Sequence, residues 1–349
     1  MIENELSALN RTRYLAVVAV SLFVLLLTVV GAPLVGSTSI DLGRAFDRSI
    51  PVAENPDASI LFVVRLPRTL LAVVVGAALS AAGLTFQSVL RNPLASPFTL
   101  GISGGAAVAS ALSIRLGWDA VFGGLSAQIL AALAGSVVAA ALVYVLARSR
   151  GYLSPATLLL AGVTLHFFFS AMILLIQYTA DFTQSYQMVR WIMGGLDILD
   201  LRRLTVVAVP VAISLVALLS IARRLNVMAL GDETAQTLGV PVESTRRLAF
   251  AAASVATGSA ISLAGPILFV GLMVPHIVRL LFGPDHRVLM PCSILLGGAF
   301  LVASDTVART VLAPTEIPVG VVTALLGGPF FLWLLLRHKL RGVDSDVVV

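Results

Sequence analysis

Gly76-Ala-Ala-Leu-Ser-Ala-Ala-Gly83 recurs as Gly258-Ser-Ala-Ile-Ser-Leu-Ala-Gly265, with five of eight positions identical. Arginines precede both copies, Arg65 and Arg68 in the first and Arg246 and Arg247 in the second, and a proline follows each, Pro93 and Pro275. Small residues in such runs let helix backbones approach closely inside a bilayer, where apolar side chains gain little by meeting one another. Each copy lies in a longer apolar run. The chain is therefore expected to use one membrane-helix motif twice.

A spanning helix needs about 20 predominantly apolar residues. Ten runs approach that length: residues 14–30, 70–90, 98–116, 122–146, 156–176, 204–221, 248–264, 267–282, 288–311 and 319–336. The stretch 248–282 is too long for one span, and Gly265-Pro266 divides it in two. The expected fold is all-α, a single polytopic membrane domain over 1–349. Helices 2–5 (about 61–178) and 7–10 (about 246–336) would then be repeats of inverted orientation, as in many transporters. Composition agrees: 58% of the 349 residues are hydrophobic and 12% charged, against roughly 25% charged in soluble domains. Residues 14–30 resemble the core of a signal peptide, but the run is long and Gly31-Ala32-Pro33 is a poor cleavage site, so a first span is expected.

The net charge of +5 is better read as topology than as nucleic-acid binding. With the N-terminus inside, fourteen of the 23 basic residues fall on the cytoplasmic side and nine outside. Both termini are then cytoplasmic, and so is the polar stretch 226–247, Asn226-Val-Met-Ala-Leu-Gly-Asp-Glu-Thr-Ala-Gln-Thr-Leu-Gly-Val-Pro-Val-Glu-Ser-Thr-Arg-Arg247. Within it Leu230, Ala235 and Leu238 fit one side of a short helix, with Asp232 and Glu233 in its first turn, Gly239 ending it and Pro241 preventing its resumption. A solvated connecting loop and a docking knob for a soluble partner both fit that composition.

Several chemistries are excluded or weakened. A Walker A motif needs Gly-Lys-Ser/Thr, and the only lysine, Lys339, precedes Leu340. Cys292 is the sole cysteine, and no paired-histidine spacing for a metal exists. Gly101-Ile-Ser-Gly-Gly105 matches an intramembrane serine-protease pattern, with His166 as the base it would need. The same glycines at a helix start serve close packing, and no oxyanion-type cluster accompanies Ser103.

Polar groups inside spans suggest function by default. Gln87, Gln128, His166, His276 and Asp305 qualify, with Asp305 and Arg309 placed to pair at i, i+4. Arg65, Arg68 and Arg309 fall on the outer side, against the positive-inside trend. Their guanidinium forks suit a partner's carboxylates.

Taken together, Arg65-Leu-Pro-Arg68, Gly83 with Gln87, Arg91-Asn-Pro-Leu-Ala95, Leu100-Gly-Ile-Ser-Gly-Gly-Ala106, Leu160-Ala-Gly162, Trp191-Ile-Met-Gly194, the Leu230–Gly239 pattern, Ala264-Gly-Pro-Ile through Pro275-His276, Asp285-His-Arg287 and Glu316-Ile-Pro resemble one family. It is the type II ABC-importer permeases, ten-helix subunits that take up ferric siderophores, haem and cobalamin. The resemblance runs from Arg65 to Leu336.

The resemblance implies a non-catalytic permease in the cell (inner) membrane. It implies two cytoplasmic ABC ATPases, a second permease copy or paralogue, and an extracytoplasmic binding protein. ATP and Mg would belong to the ATPases, and this chain would bind no cofactor. Leu230, Gly231, Asp232, Glu233, Ala235, Leu238 and Gly239, within a segment 226–245, correspond to the part that couples to the ATPase. Arg65, Arg68 and Arg309 correspond to binding-protein contacts. Asn92, Leu94, Ser154 and Pro155 correspond to the cytoplasmic gate, Pro155 departing from the usual small polar residue. The fifth span, with His166, would line the pathway. The competing class is an ion-coupled secondary transporter, for which Asp305 is the candidate coupling acid and a coupling segment would have no use.

Overall fold

A bilayer offers no hydrogen-bond partners to backbone groups, so apolar runs of this length satisfy themselves as helices. The computed structural model describes residues 11–340 except 48, 119, 150–151 and 197–200. The expected placement of both termini concerns residues outside that set. In chain order the helices are α1 (Arg11–Gly31), α2 (Leu42–Ala45), α3 (Pro56–Ala58), α4 (Leu66–Leu90), α5 (Ile102–Arg115), α6 (Ala127–Ala147) and α7 (Pro155–Thr179). They continue with α8 (Phe182–Ile192), α9 (Leu201–Ala229), α10 (Asp232–Thr237), α11 (Val242–Ala264), α12 (Val270–Phe282), α13 (His286–Thr310) and α14 (Val319–Leu340). Two short antiparallel hairpins, β1–β2 (Val121–Phe122 with Leu125–Ser126) and β3–β4 (Arg148–Ser149 with Tyr152–Leu153), join α5 to α6 and α6 to α7.

Among the described residues eight helices are long and apolar enough to cross a membrane. The remaining two of the ten runs are the shorter α5 and α12, of 14 and 13 residues. Both begin after a left-handed residue, Gly101 and Phe269. The protein is an all-α, multi-pass membrane protein. Boundaries moved most in two places. Helix α9 extends to Ala229, well past the expected end at 221, so the segment 226–245 starts inside a helix. The second span is preceded by α3 and a π-helical turn over Ser59–Arg65, giving 35 continuous helical residues from Pro56 to Leu90. Pro67 has no N–H to give the preceding turn, and the Leu66 N–H reaches back to the Leu61 carbonyl.

Helices α4, α11 and α13 form the interior, whereas α1 and α7 are largely exposed. The first helix of each four-helix group packs on the second and third of the other: α4 against α12 and α13, α11 against α5 and α6. The small residues of the repeated motif make this possible. A Cβ on Gly83 would overlap the Gly271 carbonyl of α12, and one on Gly76 the Gly297 carbonyl of α13. The exchange leaves two polar faces. One gathers the end of α4, the start of α7, α10 and the start of α11. The opposite one gathers the start of α4, the end of α13 and the segments after α1 and before α14.

Candidate functional site

On the first face, α10 is a six-residue helix between two positions of positive φ, a conformation that favours glycine, Gly231 (φ 125°) and Gly239 (φ 79°). The Val240 N–H closes its end on the Ala235 carbonyl at 2.9 Å. Leu230, Ala235 and Leu238 do not share one side, as their spacing suggests. Ala235 is fully buried, whereas Leu230 and Leu238 lie just outside the helix, 67% and 63% exposed. Gly231 breaks the helical register before Leu230 can join it, and charge pairing turns the Ala235 side inward. As expected, α10 ends before Gly239 and does not run on past Pro241, which is the N-cap of a separate helix, α11, beginning at Val242. Two leucines thus stand in solvent beside a helix that contributes only Ala235 to the core.

Asp232 provides the charge pairing. One carboxylate oxygen meets Arg91 and the other meets Arg246 Nη2 at 2.7 Å. Arg91, in a left-handed conformation at the end of α4, also donates to the Met228 carbonyl at 2.9 Å. Arg246, 4% exposed on α11, also donates to the Leu153 carbonyl at 3.0 Å, and Glu243 accepts the Leu153 N–H at 3.3 Å.

The gate candidates sit beside this cluster. Asn92 caps its own turn, its side chain accepting the Leu94 N–H at 2.9 Å, which leaves Leu94 60% exposed. Ser154 is the N-cap of α7, accepting the Thr157 N–H. Pro155 occupies the first position of α7, where its missing N–H costs nothing and its fixed φ suits the helix. The departure at Pro155 is thus compatible with the local fold.

Asn226, the first residue of the quoted segment, ties α9 to α13. Its Nδ2 donates to Asp285 at 2.7 Å and its Oδ1 accepts the His286 N–H at 2.7 Å, while the His286 ring meets Ser88 of α4. Burial pushes the Asp285 carboxyl up, but hydrogen bonds from Arg287 and Asn226 outweigh it and hold the group below its ordinary 3.8.

On the opposite face the three expected docking arginines are engaged within the chain. Arg65, 5% exposed, donates to the carbonyls of Pro33 (3.0 Å) and Thr38 (2.5 Å). Arg309, equally buried, pairs with Asp305 at 3.0 Å, as its spacing predicts, and also donates to the Ala32 and Val35 carbonyls. Arg68 holds Asp305 at 2.9 Å and Glu316 at 2.6 Å. None of the three presents a free guanidinium. Asp305 is enclosed between two arginines, and this counts against its serving as a coupling-ion acid.

His166 lies on α7 with its ring edge-on to Phe167 at 5.8 Å, and its Nδ1 makes no hydrogen bond within the chain. Leu160, Phe167, Leu174 and Tyr178 on the same helix are exposed. Ser103 Oγ is buried without a hydrogen-bond partner, so a nucleophile–base pair with His166 is not made. Among the described residues no group of three or more His, Cys, Asp or Glu side chains could hold a metal.

Residues 19–337 match the FecCD transport family. The chain belongs to that family. It is 44% identical to the cobalamin import system permease protein BtuC of Halobacterium salinarum, over 81% of this chain and 75% of that one. It is 40% identical to the hemin transport system permease protein HmuU of Yersinia pestis, over 79% of this chain and 83% of the relative. It is also 40% identical to the iron(3+)-hydroxamate import system permease protein FhuG of Bacillus subtilis, over 80% and 84%. The fold superposes with a TM-score of 0.79, at 30% identity, on the inward-facing structure of a transporter assigned to the metal-chelate ABC type, covering 93% of this chain and 99% of that one. As a member of the family the chain is an ABC-importer permease.

Sequence reasoning missed the two-armed ion pair of Asp232, the Arg246–Leu153 bridge, the Asn226 network and the Arg68–Glu316 pair. Asp232, Asp285 and Glu316 had a visible signal, as acids inside quoted motifs. Their partners are remote in sequence. The amphipathic α8 lies between the expected runs 156–176 and 204–221, where no helix was expected.

Proposed function

We propose that this permease carries an iron complex (ferric siderophore or haem) or cobalamin across the cell membrane, driven by a separate ABC ATPase. Two cytoplasmic ATPase subunits dock on the α10 face, a second copy of the permease or a paralogue completes the pathway, and an extracytoplasmic binding protein delivers substrate to the opposite face. Both termini are then cytoplasmic. The observation that carries this assignment is the exposed pair Leu230 and Leu238 beside a helix fixed by two arginines. Large apolar side chains held rigidly in solvent are the anchors that interfaces use. The four helices α4–α7 and α11–α14 act as inverted repeats that move against each other in alternating access.

Binding-protein docking is assigned to Arg68, whose partner Glu316 is 45% exposed on its side chain. A carboxylate from the binding protein would take the place of Glu316, while Arg65 and Arg309 hold the backbone around it. Asn92, Leu94, Ser154 and Pro155 form the cytoplasmic gate, and α7 with His166 lines the route. ATP and Mg are used by the ATPase, and this chain binds no cofactor. Relatives named for cobalamin, hemin and hydroxamate import match almost equally well, so the class of chelate is the level the sequence supports. The test is uptake into proteoliposomes holding the permease, its ATPase and its binding protein. ATP-dependent import of a ferric hydroxamate, haem or cobalamin is expected. Import driven by a proton or sodium gradient without ATP would sink the proposal.

A further inference from the structure

We infer that Asp232 is the positioning residue that ties α10 to both gate loops at once. This rests on the assignment of α10 as the ATPase contact. A six-residue helix with one buried side chain, Ala235, has little packing of its own to fix it. Its place is set by the two oxygens of one carboxylate. One goes directly to Arg91, which begins the loop 91–101 containing Asn92 and Leu94. The other goes to Arg246, whose guanidinium also holds the Leu153 carbonyl.

Leu153 is 1% exposed and stands immediately before Ser154 and Pro155. Both of its peptide groups are held by α11, the carbonyl by Arg246 and the N–H by Glu243. The second gate loop therefore moves with the start of α11, and α11 is linked to α10 through Asp232. Arg91 meanwhile holds the Met228 carbonyl at the end of α9. A shift of α10 cannot leave either loop in place without breaking an arginine–carboxylate pair, and such pairs favour one geometry. An ATPase that moves α10 thereby moves 91–101 and 152–155 together.

The experiment uses the complete transporter of permease, ATPase and binding protein, in a Cys292→Ser background. Spin labels are placed at Ala156→Cys or Thr237→Cys, each measured against Pro284→Cys with and without ATP. With Asp232 intact, both distances change on adding ATP. In Asp232→Asn the Thr237 label still responds, the Ala156 label no longer follows, and the ATP consumed per substrate imported rises about tenfold. Asp232→Glu restores both responses. If Asp232→Asn does not reach the membrane, Arg246→Lys gives the same decoupling, because an ammonium cannot span Asp232 and Leu153 as the planar fork does. An Ala156 response unchanged in the neutralised variant overturns the inference. A Thr237 label indifferent to ATP even with Asp232 present overturns the α10 assignment itself, and the inference with it.

Discussion

The two ends of α4 carry arginine–carboxylate clusters built from the same chemistry to different effect. At its start, Arg68 and Arg309 enclose Asp305, and Arg65 and Arg309 also hold the backbone carbonyls of 32–38. At its end, Arg91 and Arg246 share Asp232, whose side chain remains 35% exposed. Burial separates the two. A sealed cluster must keep every partner, because each lost charge strands another in low dielectric. In the second cluster water reaches Asp232 and Arg91 while Arg246 stays buried, so the Arg91 arm can adjust at small cost while the Arg246 arm holds. The first cluster serves as cement for the outer segments, and the second as a linkage that can be worked.

The largest effect should come from breaking the cement. Asp305→Ala leaves Arg68 and Arg309 without their shared counter-charge and should cost about 3–5 kcal/mol, read as a lowered unfolding midpoint of the detergent-solubilised chain. A midpoint within a degree of the parent would show that the start of α4 is no more sealed than its end. Arg65→Leu should come next, at about 2 kcal/mol, since it strands the Pro33 and Thr38 carbonyls. Faster amide exchange confined to the segment after α1 is the expected signature.

Leu238→Asp sharpens the contrast from the other side. It should leave stability within about 0.5 kcal/mol, because Leu238 touches little of its own chain. It should also weaken ATPase co-purification by on the order of 2 kcal/mol, about thirtyfold. Glu316→Gln should also change the fold little, by under about 1 kcal/mol, since that carboxylate is half in water. By freeing Arg68 it should tighten binding-protein capture at low salt, and unchanged capture would remove Arg68 from the docking surface.

Much of this was legible in the sequence, and the limits have physical causes. Apolar length and small-residue motifs decide the number of spans, because the bilayer leaves the backbone one solution. Gly265-Pro266 correctly divided 248–282, and the i, i+4 spacing gave Asp305–Arg309. What failed depends on through-space partners. The arginines of Arg65-Leu-Pro-Arg68 read as free docking groups because nothing local reveals that Pro33, Thr38 and Asp305 fold onto them. Ala235 read as one face with Leu230 and Leu238 because their spacing fits a helix, whereas the φ of 125° at Gly231 ends the register. The expected end of α9 at 221 marks only the end of the apolar run, whereas Arg223 and Arg224 continue the helix, as arginines do well once a helix leaves the apolar layer.

The central claim is that the α10 face receives an ATPase. It is tested most directly by purifying the tagged chain from its native membrane, as the parent and as Leu238→Asp, and identifying what accompanies it by mass spectrometry. A stoichiometric P-loop ATPase with the parent, lost from a folded Leu238→Asp, is the predicted result. A folded parent that brings no ATPase, or a Leu238→Asp chain that keeps it in full, would contradict the account.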